Sequence, residues 1–139
     1  MTDVVDKATR SRMMSGIRSG DTKPERVVRS ALHRRGFRFT IRSGALPGKP
    51  DIVLPAYHAA IFVHGCFWHC HGCRYFKWPS GNRTFWREKI LANVKRDARK
   101  LRALRSAGWS IRVVWECVTR DPEAMNRKAD TLEHWLRSL

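Results

Sequence analysis

Residues 61–73 read IFVHGCFWHCHGC, and the rest of the chain is organised around them. The apolar run from Ala59 to Val63 ends at His64-Gly65 and opens into ten residues, 64 to 73. These hold three of the four cysteines, three of the six histidines, Phe67 and Trp68. Packing alone gives no reason to gather soft thiols and imidazoles in one loop. Zinc does, because it needs four such groups converging tetrahedrally, and short Cys/His spacings supply them. The fourth ligand comes either from the loop itself or from Cys117, the one distant cysteine, just past the strand-like run Ile111–Trp115. In the second case zinc staples loop to strand.

Working outward, the run Ala59–His64 is the most apolar strand and is expected at the centre of a sheet. Asp51-Ile-Val-Leu54 precedes it as a second strand, across the tight connection Pro55–His58. Further upstream Phe37, Phe39 and Ile41 alternate with Arg38, Thr40 and Arg42, the period of a half-buried strand, and Ser43–Pro50 turns. The three strands read as an antiparallel meander. Before them, Thr22-Lys-Pro-Glu25 fits a capping box and Gly36 a C-terminal stop, giving a helix over about 23–35 with Val27, Val28, Ala31 and Leu32 inward.

Downstream of the cysteine loop, Thr84 is expected to cap a long helix to about Ala107, stopped by Gly108. Its apolar stripe is Phe85, Ile90, Leu91, Val94, Leu101 and Leu104. Trp109–Glu116 alternates as a fourth strand, which the intervening helix permits to run parallel to the third. Asp121-Pro122 opens a last helix with Met125, Ala129, Leu132, Trp135 and Leu136 inward. The fold class is therefore α/β: a mixed sheet of about four strands flanked by helices, with a structural zinc site. Residues 1–20 read as an N-terminal arm or short helix, with Met13, Met14 and Ile17 at helical spacing, and 21–139 as a single domain.

The length of 139 residues, 42% hydrophobic with six tryptophans, suffices for one real core. No stretch approaches the roughly 18 apolar residues of a membrane span, and the N-terminus lacks a signal-peptide core. A cytoplasmic location follows, where crowded cysteines favour metal over disulfides. The formal charge of +16, from 28 Lys/Arg against 12 Asp/Glu, calls for a polyanionic partner. Nucleic acid fits best, because neutralising phosphates releases counterions, and no lipid-facing helix accompanies the charge.

Against that charge, Asp51 is the sole carboxylate between Glu25 and Glu88. A lone acid on a phosphate-binding surface repels its ligand unless it holds a divalent cation, which neutralises it and clamps a phosphate oxygen. Its bland alternative is a turn cap beside Pro50. Pro-Asp at the head of one strand, then an apolar strand and a basic helix, resembles the restriction-endonuclease-like core. That core usually carries an acid and a lysine on the next strand, where this chain has Phe62-Val63-His64. His64 and His69 are the available bases.

DKATRS at 6–11, DTKPE at 21–25, LPGKPDIV at 46–53, IFVHGCFWHCHGC at 61–73, FW at 85–86 and VVWEC at 113–117 resemble the very short patch repair endonucleases, in one register over nearly the whole chain. The resemblance implies a restriction-endonuclease-like fold and a Mg²⁺-dependent nick 5′ of the thymine in T:G mismatches left by deamination of 5-methylcytosine. It implies Asp51 as Mg²⁺ carboxylate with the main-chain carbonyl of Val63, His69 as general base, His64 as a phosphate or water contact, and Glu25 as a supporting acid. Zinc would be held by Cys66, His71, Cys73 and Cys117, with Cys70 as an alternative ligand. Phe67, Trp68 and Trp86 would wedge beside the mismatch, and Met14 and Ile17 would insert from the minor-groove side. Lys89 and Asn93, one helical turn apart, would face the mismatch. The implied setting is a monomer on double-stranded DNA in a bacterial nucleoid, linked to a DNA cytosine methyltransferase and to mismatch-repair proteins. Two positions depart from the family: Val63 stands where threonine is usual, and Cys70 where histidine is common.

Two other readings compete. A non-catalytic, zinc-stapled DNA- or RNA-binding module accounts for charge, cysteines and aromatics but leaves Asp51 idle. A ββα-metal nuclease built on His64-Gly65-Cys66 lacks that family's asparagine-bearing hairpin.

Overall fold

The computed structural model describes residues 22–41, 46–66, 73, 77–78 and 80–139. The chain enters helix α1 (Lys23–Arg34) through Thr22, whose side chain accepts the Glu25 amide at 3.5 Å, with Pro24 in the first turn. A proline there gives up an N–H that has no helical partner anyway. At the other end Gly36 sits at φ +89°. Its N–H donates to the His33 carbonyl, and that of Phe37 donates to the Leu32 carbonyl. This closure needs a left-handed residue, and it folds Phe37 back onto the buried face of the helix. The same device ends the long helix α2 (Arg83–Ser106): Gly108 lies at φ +92°, and the Trp109 N–H donates to Leu104.

Among the described residues, four strands form one mixed sheet in the order β1 (Thr40–Ile41), β2 (Ile52–Leu54), β3 (Ala59–His64), β4 (Ser110–Trp115). The first three are antiparallel neighbours, and β4 runs parallel to β3 after the α2 crossover. A short helix, α3 (Glu116–Thr119), follows β4 directly, and α4 (Pro122–Arg137) closes the chain behind the Asp121 cap. Strand alternation then builds two cores. On one face Ile52, Leu54 and Ile61 meet Val28 and Leu32 of α1 and Leu132 and Leu136 of α4. On the other, Phe62 and Ile111 meet Leu101 and Leu104 of α2. The architecture is the α/β sandwich expected, with β3 inside the sheet and all five expected α4 residues buried.

Three local expectations are corrected. The cap of α2 is Asn82, in the left-handed conformation that asparagine tolerates, and Thr84 falls inside the first turn. Phe85 and Leu91, assigned to the core stripe, are 48% and 40% exposed. The cause is length: 24 residues span about 36 Å, whereas a six-residue strand spans about 20 Å, so α2 overhangs the sheet. Among the described residues, only Thr40 and Ile41 of the first expected strand pair with a neighbour, because Phe37 is already spent on closing α1.

The approach to β2 is fixed by a turn at Leu46–Lys49, in which the Lys49 N–H donates to the Leu46 carbonyl at 3.2 Å and Gly48 has φ +77°. This is what Pro-Gly at the centre of a type II turn provides. A Cβ on Gly48 would stand 2.8 Å from the Lys100 Cβ of α2, an atom that cannot swing away. Gly48→Ala should therefore cost about 1–3 kcal/mol through strain and clash combined. Thermal melting checks this, and an unchanged midpoint would contradict the contact.

Candidate metal centres and nucleic-acid face

The parallel register of β3 and β4 ends at His64↔Trp115. Two residues past each strand end stand Cys66 and Cys117, so the parallel ladder brings both chain segments to the same edge of the sheet. Helix α3 begins at Glu116 and turns Cys117 back toward β3, while Cys73 arrives from the far end of the cysteine loop. The three Sγ atoms lie within 4.8 Å of one another. A tetrahedral zinc with Zn–S near 2.3 Å has ligand–ligand edges of roughly 3.8 Å, so this spacing accommodates one cation with little adjustment.

Electrostatics agrees with that reading. Burial pushes the Cys66 thiol up to about 12 and raises that of Cys117 as well. Burial thus favours the protonated form of these two thiols, and a divalent cation would reverse this by stabilising the thiolates it binds. The donor set is soft and fits zinc. Cys70 and His71, the alternatives for the fourth ligand, lie outside the described residues, as do His69, Phe67, Trp68, Met14 and Ile17.

Asp51 stands immediately before β2, where the backbone ladder with β3 ends at Ile52↔Ile61. Its carboxylate takes up where the ladder stops: the Val63 N–H donates to Asp51 Oδ2 at 2.7 Å. The N–H and C=O of an extended residue point to the same edge of its strand. The Val63 carbonyl thus faces the side of β3 on which Asp51 sits. The Asp51 carboxylate thus bridges to the next strand, twelve residues away.

His64, the last residue of β3, is 7% exposed. Its ring lies 5.7 Å from that of Phe62 and edge-on to Trp115 at 5.2 Å, on the α2 side of the sheet. Glu25 stands in the other layer. Its amide completes the Thr22 cap, while its carboxylate is 5% exposed, on the same helical face as Val28 and Leu32, with Oε2 3.8 Å from Arg29 Nη1. The Glu25 carboxylate is therefore buried beside Arg29, next to the cap.

On α2, Trp86 and Asn93 are half-buried, and Lys89 is exposed with Nζ 5.6 Å from the Phe85 ring centre. Phe85 meets Trp86 edge-to-face at 5.3 Å. Phe85 was read as core, and Trp78, 48% exposed, drew no notice at all. The available signal for Trp78 was its setting, an aromatic between Lys77 and Pro79 in a polar loop. The helix also carries nine Lys/Arg against Glu88 and Asp97 alone, so its outer surface is a cationic rod.

An acid pinned between two strands, a buried imidazole at a strand end, a thiol cluster and a basic helix are the parts that a metal-using nuclease would need. Comparison with known proteins narrows the class. A family model described as DNA mismatch endonuclease Vsr matches residues 2–75. The chain is 45% identical over 138 residues to the DNA mismatch endonuclease Vsr of Escherichia coli (strain K12), covering 98% of this chain and 88% of that protein. It is 45% identical over 128 residues to the type II nicking enzyme V.XorIIP of Xanthomonas oryzae pv. oryzae, covering 92% and 94%. A third relative, V.NmeAIP of Neisseria meningitidis, is 41% identical over 131 residues. The chain belongs to the Vsr DNA mismatch endonuclease family.

Proposed function

We propose that this protein is a Mg²⁺-dependent endonuclease that nicks one DNA strand 5′ of the thymine in T:G mismatches, and so initiates very short patch repair of deaminated 5-methylcytosine. Family membership supports the endonuclease class. The observation that carries the site is the Asp51–Val63 bond, because it sets a carboxylate and a main-chain carbonyl side by side at the mouth of two strands. Asp51 and the Val63 carbonyl would hold Mg²⁺, which when bound supplies positive charge at the scissile phosphate. Val63 serves here as well as threonine, since only its main chain takes part.

His69 accepts the proton of the attacking water, His64 contacts the phosphate, and Glu25 supports the site from α1. Cys66, Cys73 and Cys117, with His71 or Cys70, hold zinc and tie the ends of β3 and β4 together. Phe67, Trp68 and Trp86 open the stack beside the mismatch, Met14 and Ile17 of the 1–20 arm enter from the minor groove, and Lys89 and Asn93 face the mismatched pair. Unstacking costs a few kcal/mol per step and costs least at a mismatch, so the wedge itself discriminates. The protein works as a monomer in the bacterial cytoplasm, behind a DNA cytosine methyltransferase and beside mismatch-repair proteins. No described helix is long and apolar enough to cross a membrane.

Mapping the cut on a labelled duplex tests this directly. A single nick on the 5′ side of the mismatched thymine is expected, and double-strand cleavage or a cut in the guanine strand would contradict it.

A further inference from the structure

Two lysines flank the approach to Asp51 and have no part in the nicking chemistry set out above. Lys49 stands two residues before the acid, and Lys100 reaches the same turn from α2. A Cβ built on Gly48 would lie 2.8 Å from the Lys100 Cβ, 3.1 Å from its Cγ and 3.4 Å from its Cδ, so the stem of Lys100 runs across the space that the glycine leaves open. This contact restrains the stem, and that part of its rotamer entropy is lost in folding rather than in binding. The Lys49 Cα is no more than about 8 Å from the same stem. Both lysines are exposed, and neither makes an ion pair among the described residues. Lys49 also sits at φ +50°, immediately before Pro50. A residue ahead of proline favours extended backbone, and the left-handed region is unfavourable for a side chain such as lysine. Strain retained at such a position is a mark of a functional site.

Helix α2 gives this corner a direction. Lys89, Asn93, Arg96 and Lys100 recur at intervals of four, three and four residues, so they share one flank of the helix, beside the inward stripe that carries Leu101 and Leu104. The Gly48 contact fixes where that flank faces, which is toward the turn leading into Asp51 and β2. Asn93 and Lys100 are separated by about 10 Å along the helix axis. That is the axial rise of about three nucleotides in one strand of a duplex. A strand whose mismatched base lies at Lys89 and Asn93 thus brings a neighbouring phosphate to Lys100, on the side where Asp51 stands.

We infer that Lys49 and Lys100 form a binding site for one phosphate of the nicked strand, flanking the scissile phosphate at Asp51. Each ammonium carries three donors and meets the non-bridging oxygens as a point charge. Contacts of this kind carry no sequence information and fix the register of the strand on the protein. They have a second effect here. Asp51 repels phosphate until a cation binds it, and two positive charges beside it hold the strand in place beforehand. The inference deepens the nicking reading, and the identity of the strand rests on it.

Filter binding to T:G duplex without Mg²⁺ tests the site apart from nicking. Lys100→Met keeps the stem and removes the charge. It should leave the melting temperature unchanged, weaken binding about tenfold, and lower the slope of log affinity against log salt by about 1. Lys100→Arg should restore both. Arg102→Met, on the far flank of the helix, should change neither. Lys49→Asn should raise the melting temperature, because asparagine tolerates the left-handed region, and yet weaken binding as Lys100→Met does. An unchanged slope in Lys100→Met, or an equal loss in Arg102→Met, would overturn the inference. Methylphosphonate scanning of the thymine strand then locates the contact. Neutralising one phosphate within about three nucleotides of the mismatch should abolish the difference between the parent protein and Lys100→Met. A difference that survives at every position would also overturn it. A protein that binds in this way and does not nick would refute the nuclease reading and leave the phosphate site standing.

Discussion

Asp51→Asn is expected to lower the nicking rate by several orders of magnitude while leaving the protein folded and loaded with zinc. The substitution removes the charge that would keep Mg²⁺ at the phosphate, which is worth several kcal/mol of transition-state stabilisation. It keeps an oxygen where the Val63 N–H now donates at 2.7 Å, so the strand junction survives. Asp51→Ala should be different in kind, because it also leaves that amide without its present acceptor, at a cost of about 1–3 kcal/mol. DNA affinity without Mg²⁺ should hold or rise in Asp51→Asn, since an acid facing phosphates is gone. Single-turnover kinetics and a filter-binding titration separate the two effects. If stability falls in Asp51→Asn while activity per folded molecule persists, the role of Asp51 is structural.

The second large effect is expected at Cys117. Cys117→Ser should release zinc and lower stability by several kcal/mol, on the order of 10 °C in melting temperature. The reason is topological. Cys66 follows β3, Cys117 follows β4 and Cys73 ends the cysteine loop, so one cation held by their thiols would join three separate places in the chain. Without it, burial favours the protonated thiols of Cys66 and Cys117. Cys70→Ser should retain the metal and His71→Ala should lose it. X-ray fluorescence on each variant gives the count, and the opposite pattern would make Cys70 the fourth ligand.

How far the sequence carried these conclusions depended on whether the determining physics was local. Thr22, Pro24, Gly36, Gly108 and Asp121-Pro122 act within a few residues of themselves, and each helix end they announced lies where they put it, apart from the α2 start. That start was misread because Thr84 and Asn82 are both good cap residues, and the choice fell to a left-handed turn. The inward face of α4 was legible because Met125, Ala129, Leu132, Trp135 and Leu136 all reach one core. The face of α2 was not, since half of that helix projects past the strands and apolar periodicity does not report where support ends.

The site divides in the same way. The cysteines announced themselves by composition, and Cys117 by its place just after a strand. What composition could not say is that the last register pair, His64↔Trp115, leaves residues 66 and 117 just past neighbouring strand ends. The isolation of Asp51 among cations was visible, but its bond to the Val63 amide depends on where the β2–β3 ladder stops, a tertiary fact. His58 illustrates the limit. It carried no signal, yet its ring stacks on Trp109 at 4.0 Å and 15°, joining two turns at the opposite end of the sheet.

The most direct measurement of the central claim compares two duplexes that differ only by T:G against C:G, incubated with the protein in Mg²⁺ and in excess chelator of Mg²⁺. The account predicts nicking of the T:G duplex alone, on the thymine strand, and only with Mg²⁺. Equal cutting of both duplexes, or T:G nicking undiminished when Mg²⁺ is removed, would contradict it.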